Sequence, residues 1–136
     1  MTKDIYATAA QAAALLREGQ KYRRERLRAA DMVTVEEAGL IMGVEGSTIA
    51  AWISGGQCIG FDDPDGVVRV PRWQFEASAW SSIRRIGQSL GTRNCWQILD
   101  FLETPTPALG GLTPRVALEQ GVPVARVLAV ATAHAH

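Results

Sequence analysis

Between Phe101 and Gly121 the chain reads FLETPTPALGGLTPRVALEQG, and its prolines and glycines fall where helices must stop and restart. Pro105 and Pro107 cannot continue a helix that carries Trp96, Leu99 and Leu102 on one face, with Ile98 and Phe101 beside them. Thr113-Pro114 puts an N-cap before a proline at the first helical position, which suits a restart. Gly110-Gly111 suits a turn at positive φ. Gly121 stops the next helix, and Pro123 opens a last one with Val124, Val127, Leu128 and Ala131 inward. A stretch so punctuated folds into short packed helices. It carries almost no catalytic residue type, so it reads as a helical surface shaped to fit another protein.

The preceding residues divide into recognisable pieces. From about Tyr6 to Ala30 good helix formers dominate, and one long helix is expected, with Gly19 its weak point. Its first half is rich in Ala with Leu15 and Leu16; its second half, KYRRERLR, is too polar to be buried. Residues 1–30 hold seven Lys or Arg against three Asp or Glu, counting Lys3 and Asp4, for a net +4. Residues 31–90 hold four against eight, a net −4, and the whole chain balances at zero. The basic half-helix reads first as a solvated face and second as a phosphate-contacting arm. The apolar stripe of the Ala-rich half has no evident partner in so small a chain, and a two-fold homodimer is expected of it.

Thr34-Val35-Glu36-Glu37 fits a capping box, and Gly43 supplies a left-handed exit. A second short helix follows from about Gly46 to Ser54, with Ile49, Trp52 and Ile53 inward. Together they read as a helix-turn-helix. Pro64-Asp65-Gly66 is a turn signal between Cys58–Phe61 and Val67–Val70, giving one β-hairpin wing. From Arg72 to about Leu90 the apolar residues return at helical spacing, and Thr92 or Asn94 caps the helix after it. The expected architecture is mostly α: a basic helix over 1–31, a small winged helix-turn-helix over 32–71 and a helical domain over 72–136.

Several functions lose ground on composition. The chain has 136 residues, 47% of them hydrophobic and 21% charged, which suits a folded protein with one core or two small ones. No apolar stretch is long enough to span a bilayer. The start lacks the basic-then-apolar pattern of a secretory signal, and Cys58 and Cys95 read as reduced thiols, so a cytoplasmic location is expected. No nucleotide-binding, hydrolase or metalloprotease spacing occurs, and no enzyme, cofactor or metal is expected. Asp62, Asp63 and Asp65 sit in a turn too short for a calcium loop, and His134 and His136 read as a frayed tail.

Two resemblances follow from these residues. Met32 to Phe75, with its TVEEA start, short second helix, wing and Pro-led continuation, resembles the winged modules of excisionases and MerR-type regulators. VPRWQFE (Val70 to Glu76) together with Phe101 to Gly121 resembles the toxin-binding domain of Xre/MbcA/ParS antitoxins, over roughly the C-terminal half. The second resemblance implies an antitoxin of a type II pair that neutralises a cognate toxin, commonly a RES-domain protein that consumes NAD, and represses their shared operon. Leu109, Gly110, Gly111, Thr113 and Pro114 match its signature and, with Arg115 exposed between these landmarks, are the expected toxin-binding positions. Operator DNA would meet Ser47 and Thr48 on the second helix and Arg69 and Arg72 at the wing. Ser47 and Thr48 cannot make bidentate base contacts, so phosphate contacts would dominate. The alternatives are a stand-alone excisionase- or MerR-like regulator and an interaction protein whose helix-turn-helix no longer binds DNA.

Overall fold

A computed structural model describes residues 2–135 of the chain, with side chains placed from residue 8 onward. The charges of Lys3 and Asp4 and the tail expected at His136 lie outside the described residues. The fold is mostly helical with one small sheet. Helix α1 spans Thr2–Leu27. It ends three residues short of expectation because Arg26 bonds the Asp31 carboxylate at 2.7 Å and draws the chain into a turn. Leu27 is buried, whereas Leu15 and Leu16 are 72% and 68% exposed.

The two short helices form where local signals place them, whereas the first wing strand is Phe61–Asp62 and not the expected Cys58–Phe61. Strand β1 (Met32–Thr34) leads into α2 (Val35–Met42). The capping box is complete: Glu37 N donates to Thr34 Oγ1 at 3.1 Å, and Thr34 N donates to Glu37 Oε1 at 3.2 Å. Gly43 leaves α2 at φ 70°, and α3 (Gly46–Ser54) follows. The tight turn presses Val44 onto Gly39, where an added Cβ would lie 2.5 Å from the Val44 oxygen. Strands β2 (Phe61–Asp62) and β3 (Val68–Pro71) form the wing. The sheet has three strands, not the two of a hairpin: β1 pairs antiparallel with β3, Val33 opposite Val70, and the order is β1-β3-β2. Three residues cannot display an alternating pattern, which is why β1 left no trace in the sequence. Val33, Ala38, Ile49, Cys58, Val70 and Phe75 form the module's core, with Trp52, Ile53 and Trp80 against it.

The helix expected from Arg72 to Leu90 is broken. Residues Arg72–Phe75 and Trp80–Ser82 make single 3-10 turns, and helix α4 begins only at Ile83, ending at Leu90. The cause is a demand from two cores at once. Trp73 enters the larger core, while Phe75 packs with the winged module and Trp80 rests against it, 5.5 Å from Phe75 between ring centroids. Gln74, fully buried, takes the place of a strand neighbour for Ile59: its Oε1 accepts from Ile59 N at 2.9 Å and its Nε2 donates to Ile59 O at 2.8 Å.

The remaining helices are α5 (Cys95–Glu103), α6 (Pro114–Glu119) and α7 (Val124–Ala135). Asn94 caps α5 by accepting from Gln97 N, and Thr113 caps α6 by accepting from Val116 N, with Pro114 at the expected position. Ile83, Ile86, Leu99, Leu102, Val127 and Ala131 are packed at the centre, α4 lying along α7. Leu27, Ile59 and Phe61 join the same cluster, so the end of α1 and the wing are part of this core. The C-terminal end is a helix and not a frayed tail as far as it is described: His134 lies in α7 with its ring 5.6 Å from that of Phe101.

Candidate functional site

The expected toxin-binding positions come together in one corner, but most face inward. Thr106 begins a closed loop in which it accepts from Leu109 N and Gly111 N at 3.1 and 3.0 Å and donates to Leu112 O at 3.1 Å. The loop drives Leu109 into the core at 4% exposure. Leu109 is therefore a packing residue and not the surface contact its position in the signature suggested. Pro114 is buried as well, and Thr113 is occupied with its cap. Arg115 lies over the Trp73 ring at 4.8 Å and bonds Glu119 at 3.0 Å, which joins the signature run to the VPRWQFE segment. The Trp73 indole N–H is buried without an acceptor.

Gly110 and Gly111 are the two of the six positions that are exposed, both at positive φ (67° and 85°). Beside them Pro107 and Ala108 are exposed, and Arg126 Nη2 donates to the Ala108 oxygen at 3.1 Å, tying the loop to the first turn of α7. From there Ala125, Ala129 and Ala133 continue along the exposed side of α7. The result is a rigid corner with little side-chain cover, which another protein's backbone could approach closely. Of the positions the sequence pattern nominated, Gly110 and Gly111 show on the surface of this corner, while Leu109 and Pro114 build it from within.

The helix-turn-helix face has a different character. Ser47, Ala50, Ala51 and Ser54 are exposed along α3, while Thr48 is half-buried. On α2, Leu40 is 85% exposed and Ile41 is exposed beside it, with Glu36, Glu37 and Glu45 around them. Neither helix carries a Lys or Arg. This face is apolar and acidic, and phosphate would be repelled from it. Arg69 is no freer to reach a phosphate. Its Nε donates to Asp63 and its Nη2 to Asp65, both at 2.9 Å, and these bonds hold its charge firmly. The Asp65 carboxyl is lowered in turn, first by the Val67 N–H and then by Arg69. Arg28 also approaches Asp63, at 3.8 Å. Arg72 is exposed at the end of β3.

Two further features carry no local sequence signal. Arg26 lies between Asp31 and Glu103, donating to the first through Nη1 and Nη2 at 2.7 Å and to the second through Nε and Nη2 at 2.9 and 2.7 Å. Burial would raise the Asp31 carboxyl, but the bonds and charge of Arg26 outweigh it and hold the group below its ordinary range. Cys58 is buried and Cys95 partly so, and both are free thiols. Burial, and then the neighbouring Cys95, push the Cys58 thiol up to about 12. Both line a groove of about 420 Å³ between the end of α3 and helices α4 and α5, with Arg84 and Arg93 at its rim. Among the described residues no three His, Cys, Asp or Glu side chains could share a metal ion, and no helix is long and apolar enough to cross a membrane. No known protein family, curated protein or solved structure matches the chain.

Proposed function

We propose that this chain is a cytoplasmic antitoxin whose helical C-terminal domain binds a cognate toxin. The reading is carried by the rigid corner formed by the Thr106–Leu112 loop and α7. Pro107, Ala108, Gly110 and Gly111 stand exposed there, beside the alanine side of α7. A preformed surface of this kind loses little conformational entropy on binding and admits a close partner backbone. The resemblance to Xre/MbcA/ParS antitoxins, carried by VPRWQFE and Phe101 to Gly121, supplies the class of partner: a toxin such as the NAD-consuming RES-domain proteins.

Co-expression with a candidate toxin from an adjacent reading frame tests the reading. Ala108→Glu and Ala129→Arg change exposed side chains and are expected to abolish rescue while the thermal midpoint of the free protein stays put. Leu109→Asp would not distinguish binding from folding, because it would bury a charge in the core. Full rescue by both surface variants would place the toxin elsewhere and sink the assignment.

A second reading, a DNA-binding regulator of the excisionase or MerR kind, is favoured by one observation. Arg17, Lys21 and Arg24 recur at i, i+4 and i+7 and so form one exposed basic stripe along α1. Autorepression by the antitoxin would use the same stripe, with Arg72, in place of Ser47, Thr48 and Arg69. Mobility shifts over a salt series distinguish the two surfaces: Arg17→Ala and Lys21→Ala should each flatten the salt dependence, whereas Ser47→Ala should not.

A further inference from the structure

Helix α1 is fastened to the protein along one side only, and that side continues past its support. Gly19, Tyr22, Arg23 and Leu27 lie on the side turned to α5, where Arg23 stacks on Trp96 at 5.2 Å and Arg26 bonds Glu103 at the far end. These contacts pair residue 26 with the C-terminal end of α5 and residues 19–23 with its start, so α1 and α5 run in the same direction. Residues before Gly19 therefore overhang the first turn of α5. By helical periodicity Ala12, Leu15 and Leu16 lie on the same side as Gly19, Arg23 and Leu27. The overhang thus extends an established interface into solvent, with both leucines exposed. Where the support ends, Gly19, Tyr22, Arg23, Trp96, Gln97 and Asp100 border an open groove of about 290 Å³. A Cβ at Gly19 would meet nothing within 4 Å.

We infer that this overhanging side is covered by the α1 of a second copy of the chain, paired antiparallel. With Leu15 and Leu16 of both copies at the two-fold axis, Ala12 of each helix meets Gly19 of the other, and the large and small residues alternate. Antiparallel pairing also carries the first half of each arm to the groove beside the partner's Trp96. The charge distribution agrees. Arg17, Lys21 and Arg24 project from the opposite side of α1, so two arms can meet without opposing their cations, and both basic stripes stay outward. Gly19, which weakens an isolated helix, leaves room for the Ala12 of the partner helix.

The paired segments overlap by roughly 24 Å, and with the two grooves the contact covers on the order of 1,000 Å², at the small end for a stable pair. A reversible dimer that dissociates on dilution is expected. This inference goes beyond the toxin-binding reading, and its test uses the chain alone, so its failure leaves that reading standing.

Sedimentation equilibrium of the full chain across the micromolar range should show monomer and dimer in exchange. Leu16→Glu should weaken the dimer by about tenfold or more. Gly19→Leu should do the same, although it favours the helix and its Cβ has nothing within 4 Å in its own chain, so loss of the arm's helix cannot explain it. Leu40→Glu, on the exposed α2 face, should leave the dimer intact. A protein monomeric at every concentration, a dimer indifferent to both arm variants, or a dimer lost with Leu40→Glu would each overturn the pairing.

Discussion

Replacing Gln74 tests how the two cores are joined. The side chain is fully buried, and its amide satisfies both backbone groups of Ile59, at 2.9 and 2.8 Å. Leucine fills nearly the same space but leaves the Ile59 N–H and C=O buried without partners. Each orphaned group costs about 1–3 kcal/mol, so Gln74→Leu should destabilise the fold by about 2–5 kcal/mol. That is a large share of the roughly 5–15 kcal/mol that holds an ordinary domain. Urea unfolding followed by tryptophan fluorescence would read it, since Trp73 and Trp80 flank the site and report on the two cores. Gln74→Glu sharpens the test. A protonated carboxyl offers one acceptor and one donor, as the amide does, whereas the carboxylate offers no donor and buries a charge. Burial raises the folded-state pKa of that glutamate, so its penalty is present at neutral pH and is relieved as pH falls through the raised value. The deficit of Gln74→Glu relative to the parent should therefore shrink between about pH 7 and pH 5. A Gln74→Leu protein within about 0.5 kcal/mol of the parent would refute the reasoning, as would a Gln74→Glu deficit that ignores pH.

Arg26→Ala removes four hydrogen bonds to Asp31 and Glu103. Allowing for the partial exposure of both carboxylates, about 2–3 kcal/mol should be lost in urea unfolding, with faster proteolysis within α1. The depressed Asp31 carboxyl makes the parent's share of this bond complete at neutral pH and lost in acid, as pH falls below the ordinary 3.8 and through the lowered value. Gly39→Ala forces the Val44 carbonyl away from α2 and should cost about 1–3 kcal/mol, read as a lowered Tm. In the native protein at neutral pH iodoacetamide should label Cys95 and spare the buried Cys58, whose thiol is pushed up to about 12; denaturation should expose both to mass-spectrometric detection.

What the sequence by itself determined lies within a few residues of each signal. The Thr34–Glu37 box, the Asn94 and Thr113 caps, Pro114 at the start of α6 and the left-handed Gly43 all formed where read, because each rests on bonds between residues no more than four apart. The wing followed from Pro64-Asp65-Gly66 for the same reason. What only the tertiary structure decided are contacts between residues distant in the chain. Trp73 and Phe75 are drawn to different cores, which breaks a segment whose spacing alone is helical. Arg26 meets Glu103 across 77 positions and fixes which end of α1 is held. The Thr106–Leu112 loop turns Leu109 inward and leaves Gly110 and Gly111 outside, and Asp63 and Asp65 take up the charge of Arg69. Periodicity tells which residues share a side of a helix; it does not tell where the neighbouring helix ends, and that is what leaves Leu15 and Leu16 in solvent.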